Sequence, residues 1–191
     1  AVLKATKGTG EVIVSPFGWV SDIVAVIQNG FTPVFADINP RTLSMDNDQI
    51  LAKVSAKTKA VLVTHVQGFN GISDPLLKEL RKRDIPLLED VCESHGATHK
   101  GQKLGSFGLI SNFSFYYAHH MSTIEGGMIC TNDNEIYQIL RMCRSHGMTR
   151  EVTDEKLKAE YITNNPELNP EFIFAYPAYN VRSTEINAVL G

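Results

Sequence analysis

The sequence has no long hydrophobic run, no block of basic residues and few cysteines, and each absence narrows its possible function. No stretch approaches the roughly 18 apolar residues of a membrane span, and the first ten residues lack a signal-peptide core, so we expect neither membrane spanning nor export. Lys and Arg number 18 against 21 Asp and Glu, and a net charge of −3 predicts no nucleic-acid partner. The three cysteines form no Cys-x-x-Cys pair, which is typical of reduced thiols in a cytoplasmic protein.

Short apolar runs alternate with helical patterns along the 191 residues, of which 43% are hydrophobic. This alternation predicts one α/β domain with a mostly parallel sheet covered by helices on both faces. Strands are predicted at 11–15, 33–38, 60–65, 85–91, 111–117 and 126–131, and helices at 21–30, 46–56, 74–84 and 134–147. We expect Ser21 or Asp22 to cap the first helix and Gly147 to end the last one. The polar segment 149–170 has weak periodicity and is predicted to be a long excursion or a lid.

Chemically active residues follow several of the predicted strands. They lie at 17–19, 65–67, 90–95 and 113–127. Because ligands of such sheets bind beyond the carboxyl ends of the strands, these four stretches are the candidates for a binding site. Their coincidence is a stronger signal than any one of them.

Three of these residues each allow a functional and a structural interpretation. Asp90 could satisfy a helix N-terminus, or it could hold a proton on the ring nitrogen of a heterocyclic cofactor. Trp19, the only tryptophan, could pack in the core or stack on a flat ring. Ser114 could bind a phosphate oxygen or a backbone group.

The adjacent histidines His119 and His120 could be packing residues, metal ligands or a catalytic base. Neighbouring residues of an extended segment point to opposite sides, and closely spaced cysteines or carboxylates are missing nearby, so a metal site is disfavoured. His95 and His99 are spaced as a second pair, but Gly96 and Thr98 argue against the helix that would align them. Packing explains one histidine more readily than two beside an acidic Gly-Gly turn.

Several segments in the right order resemble the DegT/StrS family of sugar-nucleotide aminotransferases, which are fold-type I pyridoxal-phosphate enzymes. The segment EDVCESHGATHKGQKLGSFGLISNFSFYYAHHMSTIEGGMICTND resembles the family core, whose pattern is roughly E-D-x-x-Q-x-H-G-A, then S-F-x-x-x-K, then G-E-G-G. GEVIVSPFGWVSDIVAVIQNGFTPVFADIN resembles its strand–Trp–helix–strand segment, and AYNVRSTEINAVLG the segment that closes its large domain. The resemblance implies an aspartate aminotransferase-like large domain with a mostly parallel, seven-stranded type of sheet.

The resemblance also implies roles for individual residues. Asp90 would pair with the pyridine nitrogen, and Trp19 would stack on the ring. Ser114 would bind the cofactor phosphate, and Glu93 stands where the family usually has a Gln near the ring hydroxyl. Asn180 would reach the phosphate of the neighbouring subunit, which implies a homodimer.

One departure from the family pattern bears on the reaction. Six residues before Glu125 the aminotransferases carry the lysine that binds the cofactor covalently, whereas this sequence has His119. Imidazole has no primary amine for a Schiff base, but it moves protons near neutral pH. The same replacement marks a subgroup of the family, the histidine-containing nucleotide-sugar 3-dehydratases, which the pair Cys92 and Glu93 also resembles. The resemblance therefore implies pyridoxamine phosphate as the working cofactor, His119 as the base, and His120 as a neighbour of substrate or cofactor.

These dehydratases remove the C-3 hydroxyl of a nucleotide-linked 4-keto-6-deoxyhexose in deoxysugar and lipopolysaccharide biosynthesis. One type passes electrons from an iron–sulfur cluster, whereas the colitose-pathway type regenerates its amine from glutamate. The segment 147–178 contains no cysteine, which disfavours cluster ligation, and glutamate is the candidate amino donor. Two alternatives stay open: an aminotransferase that uses another lysine, with Lys100 and Lys103 the nearest upstream, and a non-catalytic domain that binds a cofactor or a sugar nucleotide.

The domain prediction assigns residues 1–191 to the large domain alone. The sequence starts without Met and stops within a helical pattern. We therefore expect a fragment that lacks the family's N-terminal phosphate-binding segment and its smaller C-terminal domain.

Overall fold

A computed structural model describes residues 8–191, so the first seven residues of the predicted domain lie outside the described part. The described residues divide into two compact units, one of residues 8–130 with 186–191 and the other of residues 131–185. Among residues 8–191, no helix is both long enough and apolar enough to cross a membrane.

The first unit is built on a six-stranded sheet. Its strands, numbered in chain order together with the hairpin strands β5 and β6, are β1 (Glu11–Val14), β2 (Thr32–Phe35), β3 (Thr58–Thr64), β4 (Leu87–Asp90), β7 (Ile110–Ser114) and β8 (Gly127–Cys130). The order across the sheet is β2-β1-β3-β4-β7-β8, and every pairing is parallel except that of β7 with β8. The mostly parallel sheet predicted from the sequence is confirmed, but it has six strands among the described residues instead of the seven that the resemblance implies.

Helices and short 3-10 segments connect the strands. The α-helices are α1 (Val20–Gln28), α2 (Asn47–Lys53), α3 (Asp74–Lys82), α4 (Asn134–Cys143), α5 (Glu155–Thr163) and α6 (Glu185–Leu190). The 3-10 segments are Val66–Gly68, Thr149–Glu151 and Pro170–Phe172. The second unit contains α4 and α5, and three apolar residues of α4 are buried there (Ile136, Ile139 and Met142).

Both faces of the sheet carry a hydrophobic core, because alternate residues of the central strands point to opposite faces. Val12 and Val14 of β1 pack with Val26 of α1 in one cluster. Ile13, between them in the sequence, packs in the other cluster with Leu76 of α3. Burying one such side chain contributes about 1.5–3 kcal/mol relative to leaving it exposed, so the two clusters hold the carboxyl ends of the strands in fixed positions.

The residues predicted to cap the first helix and to end the last one were wrong. Helix α1 begins one residue early, at Val20, so Trp19 is its N-cap, and no side chain bonds the free amides there. Helix α4 ends at Cys143 rather than at Gly147. Gly147 instead closes the following turn, with a φ of +84° and its N–H bonded to the Met142 carbonyl at 2.8 Å.

Two elements were missed by the sequence reading. The segment 149–170, predicted as an excursion or lid, contains helix α5. This helix has no buried residue, so its sequence lacks the apolar stripe from which a helix is predicted. Strands β5 (Thr98–His99) and β6 (Gln102–Lys103) form a separate antiparallel hairpin. As predicted, no helix joins His95 to His99.

Candidate active site

Asp90 is the last residue of β4 and is almost fully buried. Its Oδ1 accepts hydrogen bonds from the Cys92 backbone N–H at 3.0 Å and from Asn112 Nδ2 at 2.9 Å. Two N–H donors on one oxygen favour the ionised carboxylate. The strand end thus presents a fixed negative charge, where the sequence placed the partner of a ring nitrogen.

Cys92 follows Asp90 and stays a neutral thiol. Burial, followed by the hydrogen bond and charge of Asp90, raises the pKa of the Cys92 thiol well above its usual range. Its Sγ accepts from Asn112 Nδ2 at 3.3 Å. A protonated thiol is neither a nucleophile nor a metal ligand, so Cys92 serves here as a neutral neighbour of the carboxylate.

Trp19 lies in the segment between β1 and α1, and its side chain is 75% exposed. This exposure excludes the core-packing interpretation. A large aromatic side chain held out of the core at the carboxyl edge of a sheet offers a flat surface on which a ring can stack.

His119 and His120 line a cavity of about 410 Å³ together with Gln67, Glu93 and Ala118. This volume lies within the range typical of small-molecule sites. Glu93 is exposed, and its Oε2 accepts a hydrogen bond from the Gln67 N–H at 2.9 Å. That bond ties the turn after β3, where Gln67 has a left-handed φ of +50°, to the turn after β4.

The loop that carries the two histidines is closed at its base by backbone hydrogen bonds. The Phe115 N–H donates to the Gly126 carbonyl, and the Thr123 N–H donates to the Phe115 carbonyl, each at 2.9 Å. Asn187 Nδ2 donates to the Thr123 carbonyl at 2.7 Å. Within the loop, the His119 N–H bonds to the Tyr116 carbonyl at 3.0 Å. We refer to the bonded residues Phe115, Thr123 and Gly126 as the neck of the histidine loop.

A third histidine joins the pair. The ring of His95 lies 5.5 Å from that of His120, centroid to centroid, and it also contacts the rings of Phe113 and Phe115. Burial, with a smaller effect from the charges of His120 and His119, lowers the pKa of His95, so it is neutral at pH 7. Nδ1 of His119 is buried and has no hydrogen-bond partner among the described residues. His119 thus lines the cavity while one of its ring nitrogens lacks the hydrogen bond that buried polar atoms usually make.

Ser114 ends β7 and is half-buried. Its Oγ accepts a hydrogen bond from the Tyr116 N–H at 3.2 Å. The hydroxyl therefore has a backbone partner and still retains its own proton to donate, so both interpretations of Ser114 fit the geometry.

Comparison with known proteins decides the family. The sequence model of the DegT/DnrJ/EryC1/StrS aminotransferase family matches residues 1–191. The chain belongs to this family. It is 39% identical over 185 residues to a GDP-4-keto-6-deoxy-D-mannose 3-dehydratase of Escherichia coli O55:H7, covering 97% of this chain and 47% of that protein. It is 33% identical over 181 residues to a GDP-perosamine synthase of Caulobacter vibrioides, covering 95% of this chain and 44% of that protein.

A solved structure shows the same fold. It is GDP-4-keto-6-deoxymannose-3-dehydratase with a trapped PLP-glutamate geminal diamine, with a TM-score of 0.85 and 35% identity over 99% of this chain and 50% of that one. The fold is therefore that of the PLP-dependent aminotransferases, as predicted. The chain spans about half the length of the curated relatives it matches.

Two lysines were the alternative to His119 as the cofactor-bound residue in this DegT/DnrJ/EryC1/StrS chain. Lys100 forms an ion pair with Asp74, and Lys103 Nζ donates to the Gly96 carbonyl at 3.0 Å. Both belong to the β5–β6 hairpin region, and neither lines the cavity of His119. The geometry therefore favours the histidine as the working group.

Asn180, which the family resemblance implies at a subunit boundary, belongs to the second unit. It is exposed, and its Oδ1 accepts from the Arg182 N–H at 3.4 Å. Its role toward the cofactor of a neighbouring subunit stays a prediction.

Sequence reasoning missed two residues of this region. Asp22 was assigned to a helix cap, but its carboxylate accepts a hydrogen bond from Thr64 at the end of β3 instead. His95 was considered only as a metal ligand, whereas its ring contacts His120. Two features of the sequence could have indicated them. Asp22 is an acid that follows a Trp at a strand–helix junction, and His95 lies five residues after Asp90.

Proposed function

We propose that this protein is a nucleotide-sugar 3-dehydratase that uses pyridoxamine phosphate and removes the C-3 hydroxyl of a nucleotide-linked 4-keto-6-deoxyhexose. The observation that carries the proposal is His119 in a cavity that no lysine among residues 8–191 lines. In the family pattern this position holds the lysine that binds the cofactor covalently. The relatives named as 3-dehydratases support the same reaction.

The residues present fit the cofactor. Asp90 is a buried carboxylate at a strand end, as a pyridinium nitrogen requires. Trp19 has an exposed ring for stacking, and Ser114 has a hydroxyl proton for a phosphate oxygen. Glu93 lies beside His119 in the cavity lining and would accept from the ring hydroxyl. When bound, the cofactor supplies the amine that condenses with the sugar ketone and the ring that takes up electrons as the hydroxyl leaves.

The chain's own residues then handle protons and orientation. His119 acts as the base and accepts a proton at its imidazole ring, which lines the cavity. The same imidazole, once protonated, donates to the departing C-3 hydroxyl. Asp90 keeps the proton on the ring nitrogen, and the neutral His95 ring supports His120 beside the base. Glutamate is the proposed amino donor, as the PLP-glutamate structure of the relative suggests.

Two substitutions in the full-length protein test this function. His119→Asn should lower the rate of C-3 deoxygenation by at least about 100-fold, the usual contribution of a general base. His119→Lys should abolish deoxygenation and gain a covalent link, because lysine has the amine that imidazole lacks. The measurements are product analysis with a nucleotide 4-keto-6-deoxyhexose, and mass spectrometry after borohydride treatment of the PLP-loaded protein.

His120→Asn is the matched control, since it removes the adjacent imidazole, and it should retain most of the rate. A cofactor adduct on a lysine of the unsubstituted protein would contradict the proposal and favour a sugar aminotransferase. Normal turnover of His119→Asn together with an inactive His120→Asn would instead exchange the roles of the two histidines.

We also propose a homodimer, because Asn180 lies in the family segment that acts across subunits. The expected outcome in sedimentation velocity of the full-length protein is a dimer. Asn180→Ala should weaken pyridoxamine phosphate binding by about 10- to 150-fold without dissociating that dimer, since one hydrogen bond to a charged phosphate is worth about 1.5–3 kcal/mol. A monomer at all working concentrations would contradict this role.

A further inference from the structure

The first turn of α1 directs a second carboxyl group toward Asp90. Thr64 Oγ1, at the end of β3, donates to Asp22 Oδ2 at 2.8 Å. Thr64 pairs in register with Asp90 across the parallel strands β3 and β4. Through Thr64, the Asp22 carboxyl group is therefore brought beside that of Asp90, close enough for the two to interact.

A hydrogen bond between two carboxyl groups requires one proton, and the neighbouring donors decide which group holds it. Asp90 accepts from two N–H groups, of Cys92 and Asn112, which favour its anion. Asp22 accepts from a single hydroxyl. Its place in the first turn of a helix also favours the anion. Burial and the charge of Asp90 outweigh that effect and raise the pKa of Asp22 to about 7.

We propose that Asp22 is a positioning residue, a neutral acid that donates a hydrogen bond to the Asp90 carboxylate and limits the pair to one negative charge. This inference rests on the proposed function, because the charge of the pair matters to the protonated ring nitrogen of the cofactor. The hydrogen bond fixes the orientation of Asp90 from the side of α1, while Asn112 fixes it from β7.

Among the side chains that face one another around Asp22, Asp22 is the group that titrates near neutral pH. Thr64 from β3 is not titratable, and the Cys92 thiol beyond β4 has a pKa raised far above neutrality. As pH rises past about 7, Asp22 ionises and the pair acquires a second charge. A ring nitrogen beside two carboxylates holds its proton more tightly than beside one.

The first experiment uses the protein without cofactor. Carbon-13 NMR of the aspartate side chains should show one carboxyl group that titrates near pH 7. Its signal should be absent from Asp22→Asn. In Asp90→Asn its pKa should be lower by at least about one unit. Asp48→Asn, which removes an exposed first-turn acid of α2, is the matched control and should leave that resonance unchanged. A resonance of Asp22 that titrates near pH 4 would overturn the proposal.

The second experiment follows the ring nitrogen of bound, nitrogen-15-labelled pyridoxamine phosphate by NMR from about pH 6 to pH 8, either side of the ionisation of Asp22. In the unsubstituted protein the nitrogen signal should change with the titration of Asp22. Asn in place of Asp22 retains an N–H donor for Asp90 and an acceptor for Thr64, so Asp22→Asn should keep the low-pH signal throughout. Asp22→Ala lacks the donor, so its nitrogen signal should differ from the low-pH signal of the unsubstituted protein.

The outcomes separate the two proposals. Binding of pyridoxamine phosphate with the same profile in all three proteins would overturn the role of Asp22 and leave the cofactor site intact. Failure of the unsubstituted protein to bind pyridoxamine phosphate would overturn the cofactor site and this role with it. Circular dichroism of the variants establishes that each is folded.

Discussion

Trp19 is a proposed binding residue whose side chain contributes little to the stability of the free protein. Most of its surface faces solvent, so little apolar area is buried by it in the free protein. Its neighbours on the chain, Phe17 and Val20, are exposed as well. Exposed apolar groups that lie together in this way are typical of ligand-binding or interaction surfaces.

Trp19→Ala should therefore weaken binding of pyridoxamine phosphate about tenfold, because an aromatic stacking pair contributes about 0.5–1.5 kcal/mol. The free energy of unfolding should stay within about 0.5 kcal/mol of the original value. Equilibrium dialysis measures the first quantity and urea unfolding the second. Phe35→Ala, at an exposed aromatic of β2, is the control and should not alter binding. Unchanged affinity in Trp19→Ala would remove Trp19 from the site.

At the scale of elements, the turn after α4 depends on Gly147. Its φ of +84° lies in the left-handed region, and a Cβ there would overlap the backbone of Tyr176. A backbone hydrogen bond lies next to this contact: the Ala175 N–H donates to the Gly147 carbonyl at 2.8 Å. A side chain cannot be added without moving the backbone of the segment that follows residue 172.

We predict that Gly147→Ala lowers the free energy of unfolding by about 3 kcal/mol, because left-handed strain and backbone displacement act together. Gly101→Ala is the matched control. Gly101 has a similar φ of +83° but no atom within 4 Å of an added Cβ, so strain alone should cost about 1 kcal/mol. Urea denaturation followed by circular dichroism compares the two. Equal losses would show that the close approach of Tyr176 does not matter.

The strands and their faces were predictable because they depend on local patterns. The alternation of Val12, Ile13 and Val14 between two cores follows from a period of two. The residues at the strand ends could also be located, since the topology of a parallel sheet brings them to one edge. The β5–β6 hairpin could not, because two-residue strands leave no periodic signal.

The role of Asp22 was beyond local reasoning for a different reason. In the sequence it resembles a helix cap, and only the pairing of β3 with β4 places Thr64 and Asp90 beside it. The contact between His95 and His120 likewise joins residues far apart in sequence. Side-chain partners across elements depend on tertiary packing, which one sequence read alone does not contain.

For the whole molecule, the buried Glu89 and the half-buried Asp22 give the pH dependence of stability opposite slopes. Burial disfavours the ionised form of Glu89, but hydrogen bonds from His65 and from the Gly105 and Gly108 amides outweigh it and lower its pKa. Its contribution is present above pH 4.5 and is lost as pH falls through the lowered pKa. Asp22 has the reverse sign, because its folded pKa of about 7 lies above the unfolded value of 3.8. Between these values the folded state holds a proton that the unfolded state has released, so raising the pH favours unfolding.

We expect Asp22→Asn to remove the slope that Asp22 causes. The free energy of unfolding of the variant, relative to the original protein, should be about 1–2 kcal/mol higher at pH 8 than at pH 4. The full shift would correspond to about 4 kcal/mol, and partial solvent exposure of Asp22 reduces it. Urea unfolding of both proteins across this range gives the difference, in which the titration of His95 cancels. Parallel curves for the two proteins would show that Asp22 ionises normally in the folded state.

The neck of the histidine loop has a consequence for how enzymes of this fold diverge. Backbone bonds among Phe115, Thr123 and Gly126 close the loop without using the side chain at position 119. Selection can therefore exchange the residue at the loop tip while the strands on either side keep their register. A histidine that gives way to a lysine, or the reverse, changes the chemistry of the site through a single amino-acid substitution. Within the family, covalent and non-covalent use of one cofactor can therefore be exchanged while the fold is kept.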